Sequence, residues 1–164
     1  MHKVWIADDD EAIRLILEES LTSSGFQTKS YSSGEDLLKD LNSNQPDLII
    51  TDVQMPGMLG YDLLKHINNN YEDIPVIIMT AFADMQAAVD SFGGGAFEYL
   101  PKPFDLEDAT EIINRALEEK PKTKGLKTDT KLDIIGESHA MQNVFRAIGK
   151  LSTTIATVLI QGES

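Results

Sequence analysis

The stretch Val4-Trp5-Ile6-Ala7-Asp8-Asp9-Asp10 is a short apolar run closed by acids. Three more runs of this kind follow. Leu48-Ile49-Ile50-Thr51 is closed by Asp52, Val76-Ile77-Ile78-Met79 by Thr80, and Phe97-Glu98-Tyr99-Leu100-Pro101 by Lys102. Each has the length and composition of a buried strand, and segments of helical period separate them, so the strands are expected to be parallel. In an open parallel sheet all strand C-termini lie on one edge, where ligands bind. Asp8, Asp9, Asp52, Thr80 and Lys102 are therefore expected to converge. Carboxylates crowded together need a cation, and oxygen ligands with room for water suit Mg²⁺. A hydroxyl and an ammonium beside the metal suit a transferring phosphoryl group.

Outward from these runs, the expected order is strand 4–8, helix 11–24, strand 27–31, helix 34–42, strand 48–51, helix 61–69, strand 76–80, helix 84–92, strand 97–101 and helix 105–120. Ile13, Ile16, Leu17 and Leu21 make one helical stripe, Met85, Ala88, Val89 and Phe92 a second. Leu106, Ala109, Ile112, Ile113, Ala116 and Leu117 make a third. All three follow the spacing of an amphipathic helix. Ser32 with Glu35 reads as a capping box for the second helix. These units predict an α/β fold, a doubly wound five-stranded parallel sheet of order 2-1-3-4-5 with five helices.

After Lys120 the character changes. Residues 121–132 are rich in Lys and Thr without apolar period, as in a linker. A helical pattern returns at Met141, Val144, Phe145 and Ile148, followed by a strand-like run over 154–160 and then Gln161-Gly162-Glu163-Ser164. A strand leading into Gly-x-x is how a phosphate-binding loop begins, but the later Gly-Lys-Ser/Thr is absent from this sequence.

The composition excludes several classes. With no cysteine among 164 residues, neither a disulfide framework nor a thiolate metal site is possible. His2, His66 and His139 fall in separate elements and make no ligand cluster. No apolar run is long enough to span a bilayer and no signal-peptide pattern opens the chain, so a cytoplasmic location is expected. A net charge of −13 argues against direct DNA binding by this segment.

At Ala7-Asp8-Asp9-Asp10, Thr51-Asp52-Val53-Gln54-Met55-Pro56-Gly57, Met79-Thr80-Ala81 and Tyr99-Leu100-Pro101-Lys102-Pro103-Phe104 the chain resembles the receiver domain of two-component response regulators, over about residues 3–120. Asp133-Ile134-Ile135-Gly136-Glu137-Ser138, Ala140-Met141 and Leu159 to Ser164 resemble the start of the AAA+ ATPase domain of nitrogen-regulation-type activators of sigma-54 RNA polymerase. The resemblance implies a receiver over 1–120, a linker over 121–132 and the N-terminal fragment of an AAA+ domain over 133–164, cut inside its first ATP-binding motif.

It also implies roles. Asp52 would accept the phosphoryl group, and Asp8, Asp9 and Asp52 would hold Mg²⁺ with the backbone carbonyl of Gln54. Lys102 would bind the phosphoryl group as a mobile charge, its bond to Pro103 cis. The Thr80 hydroxyl and the Ala81 amide would bind phosphoryl oxygens, and Tyr99 would turn inward as the switch aromatic when Thr80 moves. The implied partners are a sensor histidine kinase, the chain's own AAA+ domain, sigma-54 RNA polymerase and a second copy in a homodimer. The bland alternatives are an N-cap run for Asp8 to Asp10, a helix N-cap for Thr80, a surface Lys102 and an exposed strand aromatic for Tyr99. Two positions depart from the family: Leu59 stands where Asp is usual, and Gly93-Gly94-Gly95 is richer in glycine, which should soften the end of the fourth helix.

Two other functions fit the same sheet. A flavodoxin-like electron carrier needs amides and hydroxyls after strand 1 to cradle an anion, but here three carboxylates would repel a flavin phosphate. A Mg²⁺-dependent phosphatase of haloacid type uses Asp-x-Asp after strand 1, a spacing that Asp8 to Asp10 contains, with Asp8 as nucleophile. The position of the phosphoryl label, Asp52 or Asp8, discriminates these readings.

Overall fold

β1 (Lys3–Ala7), β3 (Leu48–Asp52) and β4 (Val76–Thr80) are buried almost throughout, as near-continuous apolar runs of a sheet covered on both faces must be. The structure is a computed structural model that describes residues 1–81, 85–119, 138–155, 157 and 159. β2 (Gln27–Tyr31) and β5 (Glu98–Pro101) form the edges, and the parallel order is β2-β1-β3-β4-β5, as expected. The helices are α1 (Glu11–Ser23), α2 (Gly34–Leu41), α3 (Gly60–Asn70), α4 (Met85–Gly93), α5 (Leu106–Glu118) and α6 (His139–Ser152). Five of them wind the sheet. The sixth is the helical pattern expected after the linker. The linker itself lies outside the described residues; of the strand expected over 154–160, residues 156, 158 and 160 lie outside them too, and 154, 155, 157 and 159 are not in a strand.

Two cores flank the sheet. Leu17 and Leu21 of α1 and Ala109, Ile113 and Ala116 of α5 pack on Val4, Ile6, Ile50 and Ile77. Leu37 and Leu41 of α2, Leu63 and Ile67 of α3 and Val89 and Phe92 of α4 fill the other face. The expected stripe of α1 needs one correction. Ile16 is 52% exposed, because α1 turns only Leu17 and Leu21 fully onto the sheet while Ile13 packs at its margin. The α5 stripe is as expected, and so are Ala88, Val89 and Phe92 of α4.

The capping box of α2 also shifts by one residue. Ser33, not Ser32, has the extended backbone of an N-cap, and its hydroxyl accepts from the Asp36 amide at 3.3 Å. Glu35 cannot close a box, because its carboxylate lies against the β3–α3 loop at Gly57. At the end of α4, Gly95 takes a positive φ of 89°, and its amide and that of Ala96 return to carbonyls of the last turn. Of the three glycines, Gly95 is thus demanded by the helix terminus.

α6 packs along α4 and reaches β5. Phe145 is fully buried in the core of the α2–α3–α4 face, while Val144 stays 45% exposed. Part of the apolar face of this helix is thus buried against α4 and β5.

Candidate functional site

The site is built by chain reversals at the C-terminal edge of the sheet. Asp8 follows β1, Asp52 ends β3, Thr80 ends β4, and Lys102 follows β5. The Lys102 amide donates to the Thr80 carbonyl at 2.7 Å, which ties the two loops together, and the Lys102–Pro103 bond is cis. Asp8, Asp9, Asp10, Asp52, Gln54, Ala81 and Lys102 line one cleft, with Ile13 and Val53 as its apolar wall.

The Lys102 ammonium lies 2.6 Å from Asp8 Oδ2 and 2.9 Å from Asp52 Oδ1, so one cation bridges two buried carboxylates. The other oxygens are also engaged. Asp8 Oδ1 accepts from the Asp10 amide at 2.9 Å, and Asp52 Oδ2 from the Gln54 amide at 3.1 Å. Asp8 is fully buried and Asp52 nearly so, whereas Asp9 is exposed at the mouth. Burial is the largest influence on Asp52 and pushes its pKa above the usual carboxylate range; Lys102 opposes this and the Asp8 charge adds to it. For Lys102 burial acts downward, but the hydrogen bonds and charges of Asp8 and Asp52 outweigh it and hold the ammonium above its ordinary pKa.

Carboxylate oxygens of Asp8, Asp9 and Asp52 come within 4.8 Å of one another. An all-oxygen set with one exposed member leaves room for retained waters, which fits Mg²⁺ or a similar hard cation. Asp10 has another task. Its carboxylate accepts from the Ala12 and Ile13 amides at 2.8 and 3.4 Å and caps α1. That leaves the Asp-x-Asp pair of a haloacid-type phosphatase without its second carboxylate.

Thr80 is buried at the end of β4, and Ala81, exposed, lines the cleft. Tyr99 does not line it. It is fully buried one strand away, edge-on to Phe92 at 6.0 Å, and donates its hydroxyl to Gln142 Oε1 of α6 at 2.9 Å. The reading of Tyr99 as an exposed strand aromatic is therefore corrected: α6 covers it.

Two features had little or no signal in the sequence. Arg14 donates from Nη1 to the Asp8 carbonyl at 2.7 Å and braces the β1–α1 turn; an arginine on a helix of mixed polarity gives no hint of that contact. Glu98, fully buried in β5, meets three cations, from Arg115, Arg146 and Lys150. A charge inside an apolar strand run was a signal that it needed partners, though not which ones.

A family model described as the response regulator receiver domain matches residues 4–114. The DNA-binding transcriptional regulator NtrC of Klebsiella pneumoniae is 46% identical over 165 residues, covering 98% of this chain and 35% of its own length. The chain thus spans about a third of the length of the curated relatives it matches. A response regulator receiver domain protein from Clostridium thermocellum superposes with a TM-score of 0.67 at 32% identity, over 72% of this chain and 95% of that one. The response regulator TrrA of Thermotoga maritima, solved in complex with Mg(2+)-BeF, superposes with a TM-score of 0.64 at 30% identity, over 70% of this chain and 98% of that one.

Proposed function

The chain belongs to the response regulator receiver domain family, in its NtrC-type branch, and from that premise we propose that it switches state when Asp52 takes a phosphoryl group from the phosphohistidine of a sensor kinase. A carboxylate oxygen of Asp52 forms the new O–P bond. The N–P bond breaks, and its electron pair stays on the imidazole nitrogen of the donor. Attack of water on the acyl phosphate returns Asp52 and phosphate, so the chain resets slowly and is a regulator more than a turnover enzyme.

The observation that carries this reading is the convergence of Asp8, Asp9 and Asp52 with the bridging ammonium of Lys102. Asp8, Asp9, Asp52 and the Gln54 carbonyl would hold Mg²⁺, which when bound offsets the repulsion between the attacking carboxylate and the phosphoryl oxygens. Lys102 leaves its present partners to pair with a phosphoryl oxygen. The Thr80 hydroxyl and Ala81 amide receive the others.

Residues 133–164 begin an AAA+ domain, joined to the receiver through 121–132, and phosphorylation controls that domain and, through it, sigma-54 RNA polymerase. The receiver acts as a homodimer in the cytoplasm, with no DNA contact of its own. No helix among the described residues is long and apolar enough to cross a membrane.

The test is intact-mass and peptide mass spectrometry after incubation with acetyl phosphate and Mg²⁺. One phosphoryl group on Asp52 is expected, and none on Asp52→Asn. Label on Asp8, or undiminished label on Asp52→Asn, overturns the proposal.

A further inference from the structure

Asp8 and Asp9, the first two acids after β1, lie past the end of the sheet ladder. β1 pairs with β2 and with β3 only as far as Ala7. Beyond that point the Asp8 amide donates to the Tyr31 carbonyl at 3.1 Å, and the Asp8 carbonyl accepts from Arg14 Nη1 at 2.7 Å. Asp8 is fully buried, and a buried main-chain carbonyl needs a donor. The same contact constrains the neighbouring acid. The Asp8 carbonyl and the Asp9 amide belong to one rigid plane, so the guanidinium that fixes the first sets the direction in which Asp9 leaves the turn. Among the described residues no hydrogen bond reaches the Asp9 carboxylate, so its aim depends on the main chain.

The position of Arg14 is an unfavourable one for a cation. It is the fourth residue of α1, near the positive end of the helix dipole. Its amide donates to the Asp10 carbonyl at 3.1 Å, as the helix requires, while its side chain reaches back across the N-terminus to Asp8. Asp8 is thus held by two cations in different ways. Lys102 holds its carboxylate at 2.6 Å, and Arg14 holds its carbonyl. The first hold is given up when Lys102 pairs with a phosphoryl group. The second does not depend on Lys102.

We propose that Arg14 is a positioning residue of the metal site. Through the Asp8–Asp9 peptide it keeps both acids in the arrangement that binds Mg²⁺, before and after Lys102 lets go of Asp8. This rests on the reading of the cleft as a Mg²⁺ site that serves phosphoryl uptake. Charge and placement act on Mg²⁺ affinity with opposite signs. A guanidinium near the site repels the metal, so its removal tightens binding if charge alone counts. If the guanidinium places the ligands, its removal loosens binding.

The experiment is a Mg²⁺ titration of the whole chain at about 0.15 M ionic strength, followed by the NMR shifts of the amides of the β1–α1 turn. Arg14→Met keeps much of the bulk and loses both charge and donor. Its Kd for Mg²⁺ should rise about tenfold, as for other groups that orient metal ligands. Arg14→Lys restores a donor of similar reach. Only one N–H of the guanidinium is used on Asp8, so this variant should recover most of the lost affinity. In metal-free buffer the Asp10 amide, which donates to Asp8 Oδ1, should exchange with solvent faster in Arg14→Met, with the amides of β1 and β3 unchanged. Phosphoryl uptake from acetyl phosphate should be slow in Arg14→Met at low Mg²⁺ and reach the parent rate at saturating Mg²⁺. Unchanged or tighter Mg²⁺ binding in Arg14→Met, no recovery in Arg14→Lys, or uptake that stays slow at saturating metal overturns the positioning role. If Arg14→Met does not fold, the same readings are taken on Arg14→Gln, polar and uncharged. A parent chain that binds no Mg²⁺ at the turn overturns both readings. One that binds Mg²⁺ but takes no phosphoryl group overturns the switch alone, and the titration still decides Arg14.

Discussion

Replacing Lys102 by Met removes the cation that two buried carboxylates share and keeps most of the side chain's bulk. At an effective dielectric constant of about 20, each contact, 2.6 Å to Asp8 and 2.9 Å to Asp52, is a gross attraction of about 6 kcal/mol. Burial of all three groups consumes much of that. The better guide is the measured cost of removing one partner from a buried pair, about 3–5 kcal/mol. A chain of this length loses about 2–4 °C of melting temperature per kcal/mol, so Lys102→Met should melt roughly 10 °C lower at pH 7 without divalent metal. The deficit has a pH signature. Without the ammonium, Asp52 rises still further above the usual carboxylate range than it already does. An acid whose pKa is raised on folding favours the folded state below its ordinary range and loses that contribution as pH rises through the folded value. The deficit should therefore shrink as pH falls below neutrality and stay full above it. Parent stability held through the raised pKa of Lys102 is lost only in strong base, as pH passes the folded value. Mg²⁺ replaces the missing charge, so the variant should bind it more tightly than the parent while accepting phosphoryl groups poorly. Differential scanning calorimetry from pH 4 to 9, with and without Mg²⁺, reads all of this. A variant that melts within about 2 °C of the parent at pH 7 without metal, and shows no pH trend, refutes the claim that Lys102 holds two carboxylates in place.

Asp52→Asn should melt higher than the parent in metal-free buffer, with a gain that grows from pH 4 to 7, because it removes a carboxylate whose raised pKa makes its ionised form unfavourable; an unchanged melting temperature across that range would count against a strained acid. Asp9→Ala should leave the metal-free stability within about 0.5 kcal/mol of the parent, since Asp9 is exposed, yet weaken Mg²⁺ binding measured by tryptophan fluorescence or calorimetry. Gly60→Ala should cost about 3 kcal/mol or more and disturb the acceptor loop, because its methyl would stand 2.0 Å from the Asp52 carbonyl oxygen; urea unfolding checks the first and phosphoryl uptake the second. Leu59 caps α3 without any side-chain hydrogen bond, so Leu59→Asp should stabilise the chain by about 1 kcal/mol in the same urea assay.

The sequence alone determined the layers and the edge where the chemistry gathers. Apolar runs of strand length alternating with stripes of helical period admit few topologies, and a parallel sheet sends every strand's end to one side. Asp8, Asp52, Thr80 and Lys102 could thus be brought together from positions alone. What periodicity encodes is which face a residue occupies, not which neighbour it meets there. Only the packed chain decided that Asp8 is buried while Asp9 is open, that one ammonium spans Asp8 and Asp52, and that Ser33 caps α2 in place of Ser32. The pairing of Glu98 with Lys150, 52 residues away, and the covering of Tyr99 by α6 are of the same kind. Both depend on the distance and angle at which two helices cross. Those are set by side-chain shape at the contact, here by the absence of a side chain at Gly149, and no pattern along a single helix records its partner's surface.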